Sequence, residues 1–424
     1  MKNFFSRLFG QIIGGNYFLA LDFGSSSIKS LLFKVSDDGK KVDILGFGES
    51  RQSSLSDNIS NNEENKISRI VLAAQKSISE ACKNTKIRAP LKVVLGAAGD
   101  LVHGDSITKR YIREDAKEKI NLIELKNIIQ KTQWSAWDNI RKFVRDETGY
   151  SEFNVKLINS RIQEIKVDGY RVTNPIGFSG REIVISIFNA YSTEEHLEFL
   201  NNIIGRLNLE LSFIVAEPYA VAQALSVGSN DKISALLLDV GDFATDITFI
   251  QESKVRFIKT IALGSKIFNQ RLSNELCVDN NDAEAIKIKY GNNLLSRVVT
   301  KKIARIIKRD VDIWLNAMEL SLTNISKQEI LPGDILLYGA GSQLPDLKTA
   351  LEDGDWRKNL SLPRRLVVNL LLPESFLNIM NLSPEFNRPQ FTALCALSVL
   401  SLDFLTYEDP INQNLRRISR IVSQ

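Results

Sequence analysis

Residues 19–33 read LALDFGSSSIKSLLF, and residues 236–250 read LLLDVGDFATDITFI. Each is an apolar run, an Asp, a turn through Gly and small residues, and a second apolar run, the pattern of two strands joined at a polar turn. The LDFG of 21–24 recurs as the LDVG of 238–241, so the chain carries two related halves. A strand that ends in Asp and turns through Gly and hydroxyl residues offers backbone N–H groups to phosphate oxygens. It also places the carboxylate to hold a metal-bound water. In the first turn the candidates are Asp22, Gly24, Ser25, Ser26 and Ser27; in the second they are Asp239, Gly241, Thr245 and Asp246. One such turn alone reads equally as a plain hairpin, whereas two copies facing each other form a clamp.

Working outward, the DDG at 37–39 and the apolar run 42–47 complete a three-stranded meander, and 234–263 repeats it around an ESK turn. Residues 50–64 are polar and read as a loop, and 67–81 have helical spacing. Strands over 91–112, a helix over 114–144 and strands over 155–191, punctuated by DG, NP and SG, make a compact α+β module. An amphipathic helix over 194–208, a short strand at 211–215 and a helix at 220–225 return to the second meander. Beyond it lie a helical block, 267–322, the strand and turn DILLYGAGSQLP at 334–345, and a helix over 345–351. GAGSQL lacks the third glycine and the βαβ context of a dinucleotide fingerprint.

Composition bounds the rest. The 424 residues suggest two or three cores at roughly 150 residues per domain. With 44% hydrophobic and 25% charged residues, the chain is neither disordered nor fibrous. A net charge of +4, with both signs interspersed, does not imply nucleic acid. Cys82, Cys277 and Cys395 are widely spaced, with only His103 and His196 beside them, which argues against a zinc site or a disulfide framework. The apolar stretch 393–402 is shorter than the roughly 20 residues of a membrane span. MKNFFSRLFGQII is interrupted by Ser6 and Arg7 and precedes no cleavage site, so the body reads as cytoplasmic.

In this order, LALDFGSSSIKS, AEPYAVAQAL (216–225), LLLDVGDFATDITF and ILLYGAGSQLP resemble the four nucleotide motifs of the actin, Hsp70 and sugar-kinase superfamily. VDGYRVTNPIGFSGREIVISIF (167–188) resembles the inserted subdomain of the bacterial division protein FtsA and its relative PilM, and NDAEAIKIKYG (281–291) resembles the segment after that family's second phosphate loop. The resemblance, covering residues 17 to about 405, implies an α/β actin-like ATPase fold: two duplicated ribonuclease-H-like domains with an inserted FtsA-type (SHS2) α+β subdomain. The implied division is an N-terminal segment 1–16; domain 1A, 17–90 and 192–232; insert 1C, 91–191; domain 2A, 233–265 and 331–406; helical subdomain 2B, 266–330; and a C-terminal linker and helix, 407–424.

Carried over residue by residue, the resemblance implies ATP with magnesium held through water by Asp22 and Asp239, and phosphate contacts from Gly24, Ser25, Ser26, Ser27, Gly241 and Thr245. It further implies Glu217 facing the attacking water, Glu284 and Lys287 at the ribose and base, and Gly339, Gly341 and Ser342 beneath the adenine. Lys29 is read as a structural charge. Asp242 and Phe243 depart from the glycines usual in the second loop, which puts hydrolysis in doubt.

Residues 411–424 set Ile411, Leu415, Ile418 and Val422 on one helical face with Arg416 and other arginines largely elsewhere. This resembles FtsA's membrane-targeting helix; a helix docked on the protein's own core is the alternative. Phe4, Phe5, Leu8, Phe9, Ile12 and Ile13 form a second stripe that fits an anchor, a partner-binding helix or a docked segment. The expected function is an FtsA-like, membrane-associated filament scaffold, with an FtsZ-like tubulin homologue, its own copies and an anionic membrane as partners. The alternatives are a PilM-like adaptor holding the tail of an inner-membrane pilus protein, and a small-molecule kinase.

Overall fold

The computed structural model describes residues 17–52, 63–85, 92–99, 102–148, 154–227, 231–327, 329–353, 355–405 and 415. The first meander is β1 (Tyr17–Phe23), β2 (Ser27–Val35) and β3 (Val42–Arg51), followed by α1 (Glu63–Cys82) and β4 (Lys92–Ala97). The insert, expected from residue 91, follows β4, which pairs with β1 and with the later strand Glu210–Ala216 in the first half's sheet, and contributes β5 (Val102–Ile112), α2 (Leu122–Thr148), β6 (Val155–Val167), β7 (Tyr170–Arg171) and β8 (Glu182–Thr193). The chain returns through α3 (Glu194–Arg206), β9 (Glu210–Ala216) and α4 (Glu217–Ser226). The second meander is β10 (Ala235–Val240), β11 (Thr245–Gln251) and β12 (Lys254–Ile261). Helices α5 (Lys266–Leu276), α6 (Asn280–Gly291) and α7 (Arg297–Ser326) precede β13 (Asp334–Tyr338), α8 (Pro345–Asp353), β14 (Val367–Leu370), β15 (Ile379–Met380) and α9 (Thr392–Leu405).

The duplication is explicit in the sheets. In the first, the order is β15-β3-β2-β1-β4-β9; β1 pairs antiparallel with β2 and parallel with β4. In the second, β14-β13-β10-β11-β12 repeats that arrangement, with β10 antiparallel to β11 and parallel to β13. Because β1 and β10 each lie between two strands and beneath helices, both their faces are buried, and their sequences are continuous apolar runs instead of alternating ones. The second sheet does not stop at β12. β12 pairs with β5 through Phe257–Asp105 and Ile258–Gly104, extending the sheet through β8, β6 and β7 to nine strands. An insert expected as part of the first half thus continues the sheet of the second.

Each half has its own core. In the first, α1 turns Ile67, Ile70, Ala74, Ile78 and Ala81 onto β2 and β3, residues three and four apart that share one helical face. α9, apolar nearly all round, is buried between this sheet and α4, which explains an apolar stretch too short to span a bilayer. Among the described residues no helix is long and apolar enough to cross a membrane. In the second half, Trp314 of α7 is fully buried among Leu236, Leu238 and Phe249. Truncating it to Ala would cost about 3–5 kcal/mol.

The predicted helix at 114–144 begins instead at Leu122. Arg113 holds the preceding loop in place, pairing with Glu124 at 2.6 Å and donating to the carbonyl oxygens of Glu118 and Gly180. Asn121 then caps α2 by accepting the Glu124 amide at 2.9 Å. Residues 1–16 and most of 407–424 lie outside the described residues. Leu415 is described, and it is fully buried in the insert's core with Ile107, Ile128, Ile165 and Ile185. This corrects the placement of Leu415 on a lipid-facing stripe: its apolar surface is covered by protein. Ile411, Arg416, Ile418 and Val422 lie outside the described residues.

Candidate nucleotide cleft

The β1–β2 and β10–β11 turns open on one shared crevice. Ser26 and Ser27 of the first turn and Asp242 of the second line a cavity of ≈ 420 Å³, with Glu284, Lys287 and Gly341 along its wall. That volume lies within the usual range of a small-molecule site. Asp22 and Asp239 are not among the residues lining it, but they lie close enough together that the Asp22 charge acts on Asp239 and both act on Glu217.

The register explains what each carboxylate meets. Asp22 pairs across the ladder with Lys29, whose Nζ donates to its Oδ2 at 2.7 Å. Burial works to lower the Lys29 pKa, but the charges of Asp22, Glu217 and Glu49 outweigh it and hold the ammonium well above its ordinary value. In the second half the equivalent pair is Asp239 with Asp246. Burial, reinforced by Asp246, pushes the Asp239 carboxyl up to about 8. Glu217 opens α4 and is almost fully buried. Burial, with Asp22 and Asp239 adding to it, raises its carboxyl well above the usual carboxylate range.

Two glycines make room for these acids. A Cβ on Gly96 would stand 2.0 Å from Glu217 Oε1, and a Cβ on Gly339 would stand 2.1 Å from Asp239 Oδ1. Gly339 also has φ +83°, a conformation that side chains disfavour. Gly339 therefore seats Asp239, while Gly341 faces the cavity. The Ser342 hydroxyl turns back to the Gly339 carbonyl at 2.8 Å.

Other predicted site residues sort as follows. The Ser27 hydroxyl donates to Glu49 at 2.8 Å. The carbonyls of Gly24 and Ser26 are held by Gln52, through its side chain at 2.8 Å and its amide at 2.9 Å. The Gly241 amide donates to Ala244 at 2.9 Å, closing the second turn. Glu284 pairs at 3.1 Å with Arg51 across the cleft, and Lys287 donates to Ser265. Burial lowers the Lys287 pKa, partly opposed by Asp242 and Glu284. Ser25 is exposed at the tip of the first turn. Thr245 is a correction. It is fully buried, donates to Leu263 at 2.7 Å and accepts from the Trp314 indole at 2.9 Å, because the alternation of β11 turns it toward α7 and away from the cavity.

Arg51 and Ser265 escaped the sequence reading, as did the pairing of Lys29 with Asp22 and of Asp246 with Asp239. Both pairings were within reach, since Lys29 and Asp246 each stand at the same offset from their Asp in the two repeats.

A buried group of Asp22, Glu217, Asp239 and Asp246 faced by Lys29 would repel a polyphosphate unless a cation came with it. The donors are hard oxygens, which suit magnesium. Among the described residues no three acidic, imidazole or thiol groups converge as a ready cage. A magnesium ion here would keep much of its water and be carried by phosphates, with Asp22 and Asp239 accepting from that water.

This architecture is that of an actin-like ATPase: the PilM–PilN type IV pilus biogenesis complex matches with TM-score 0.61 over 91% of this chain and 98% of that one, at 16% identity. Within that class the sequence is FtsA-like. The family model "Cell division protein FtsA" matches residues 236–396. FtsA of Neisseria meningitidis is 23% identical over 65% of this chain and 61% of its own length. FtsA of Pseudomonas aeruginosa is 20% identical over 79% of this chain and 80% of its own.

Proposed function

We infer that this protein is an FtsA-like scaffold that binds magnesium–ATP between its two halves, self-assembles, and ties a division ring of an FtsZ-like tubulin homologue to the cytoplasmic face of the membrane. The observation that carries this is the pair of duplicated Asp turns on one cavity, joined to FtsA similarity over residues 236–396. Nucleotide acts here chiefly as a bridge between halves. Titration with ATP and magnesium tests the cleft: millimolar or tighter binding that is lost in Asp22→Ala supports it, and no binding removes it.

A second reading is favoured by Leu415, which lies in the insert's core instead of on a free tail. In that reading the protein is a PilM-like cytoplasmic adaptor whose insert holds the tail of an inner-membrane pilus protein, and lipid contact is dispensable. Sedimentation with anionic liposomes separates the two. The scaffold loses binding when residues 411–424 are removed; the adaptor binds weakly with or without them.

A further inference from the structure

The nucleotide reading leaves Asp242 without a part, although it lies at the centre of the cleft. It follows Gly241 in the second turn, and its carboxylate accepts from the Ser26 hydroxyl of the first turn, 216 residues away in sequence. Its other oxygen accepts from the Ser265 hydroxyl at 3.3 Å. The turn that carries it is fixed: the Asp242 carbonyl accepts the Lys266 amide at 2.9 Å, and the Gly241 carbonyl accepts the Ser265 amide at 2.9 Å. The charged groups that line the cavity with it have other partners: Arg388 lies over the Phe391 ring and donates to the Glu385 carbonyl, and Glu49 accepts from the Ser27 hydroxyl. Lys266 lies over the Phe243 ring, Lys287 donates to Ser265, Arg51 pairs with Glu284, and Lys29 pairs with Asp22.

A terminal phosphate gripped by both turns has to lie between them, on the hydroxyls that already hold this carboxylate. We propose that Asp242 is an internal anion standing in the terminal-phosphate position, so that the cleft takes a nucleoside diphosphate in preference to the triphosphate. This rests on the nucleotide reading above. A triphosphate must either displace the carboxylate from Ser26 or share a shielded space with its charge, whereas a diphosphate stops short of it. Like charges ~4 Å apart at a partly buried site are enough to alter affinity by a factor of ten or more.

The test is calorimetric titration of magnesium–ADP and magnesium–ATP into the full chain, Asp242→Asn and Ser26→Ala, with Asp22→Ala as the control for the cleft. The unaltered protein is expected to bind ADP about tenfold or more tighter than ATP, and Asp242→Asn to bring the two within about threefold by strengthening ATP. Ser26→Ala removes the strap and keeps the charge, so the carboxylate is freer to move aside and the preference for ADP narrows; it also serves if Asp242→Asn fails to fold. Equal affinities in the unaltered protein, weaker ATP binding in Asp242→Asn, as a metal ligand would give, or a preference that does not narrow in Ser26→Ala would overturn the proposal while leaving the nucleotide reading intact. No binding of either nucleotide to any chain would remove both.

Discussion

Opposite Asp22 in the first meander stands Lys29, and at the same register in the second meander Asp246 stands opposite Asp239. The backbone was duplicated and the charge was not. The first turn is an ion pair with a side-chain exposure of about a tenth on either partner, while the second sets two carboxylates opposite each other, with burial raising the Asp239 carboxyl. Duplication thus fixes the register, and the residue seven positions on sets which charge faces each carboxylate across the ladder. The first half sets a lysine against its acid; the second sets another acid, which accepts from the Thr260 hydroxyl and the Gly99 amide.

Breaking the first pair should have the largest effect. Lys29→Met leaves Asp22 buried without its cation, beside Glu217 and Asp239, and is expected to destabilise the protein by about 3–5 kcal/mol in denaturant unfolding. A loss below about 1 kcal/mol would mean that the two halves are not electrostatically different. Next comes the support of the second Asp. Gly339→Ala places a Cβ against Asp239 Oδ1 and the Val240 backbone at positive φ, and should cost about 2–3 kcal/mol by the same assay.

The like-charge pair predicts a pH signature within the neutral range. Between the ordinary carboxylate value of 3.8 and about 8, folded Asp239 keeps a proton that the unfolded chain has released. Stability from this group is therefore fully present at low pH and is lost as pH rises through 8. Asp239→Asn should then leave the nucleotide-free protein unchanged near pH 3 and stabilise it increasingly above that, by about 2–3 kcal/mol more at pH 9 than at pH 6, read from unfolding curves at each value. Equal effects at the two pH values would refute a raised Asp239. The smallest change is expected at the rim, where Arg51 is mostly exposed: Arg51→Ala should cost below about 1 kcal/mol, and less at high salt.

Much of this was legible in the sequence. The repeat of LDFG as LDVG located both turns, and the apolar runs gave every strand of the two meanders. What escaped depended on long-range placement. Thr245 has the residue type of a phosphate ligand, but which face of β11 it occupies is set by α7, more than fifty residues later in the chain. Leu415 belongs to an amphipathic stripe, and such a stripe states that it needs an apolar partner without stating whether lipid or protein supplies it. The late start of α2 follows from Arg113 reaching Gly180 and Glu124, contacts that no local propensity contains. Asp242 was legible as a misfit; that it touches Ser26 of the other half was not.

The seam between β5 and β12 separates chain connectivity from mechanical allegiance. The insert leaves and rejoins the chain inside the first half, yet its strands are ribs of the same twisted surface as the Asp239 turn. A pull on the insert is delivered sideways through hydrogen bonds to β12 and β11, and so reaches the second turn without passing through the first. Whatever docks on that module has its hand on the floor of the cleft.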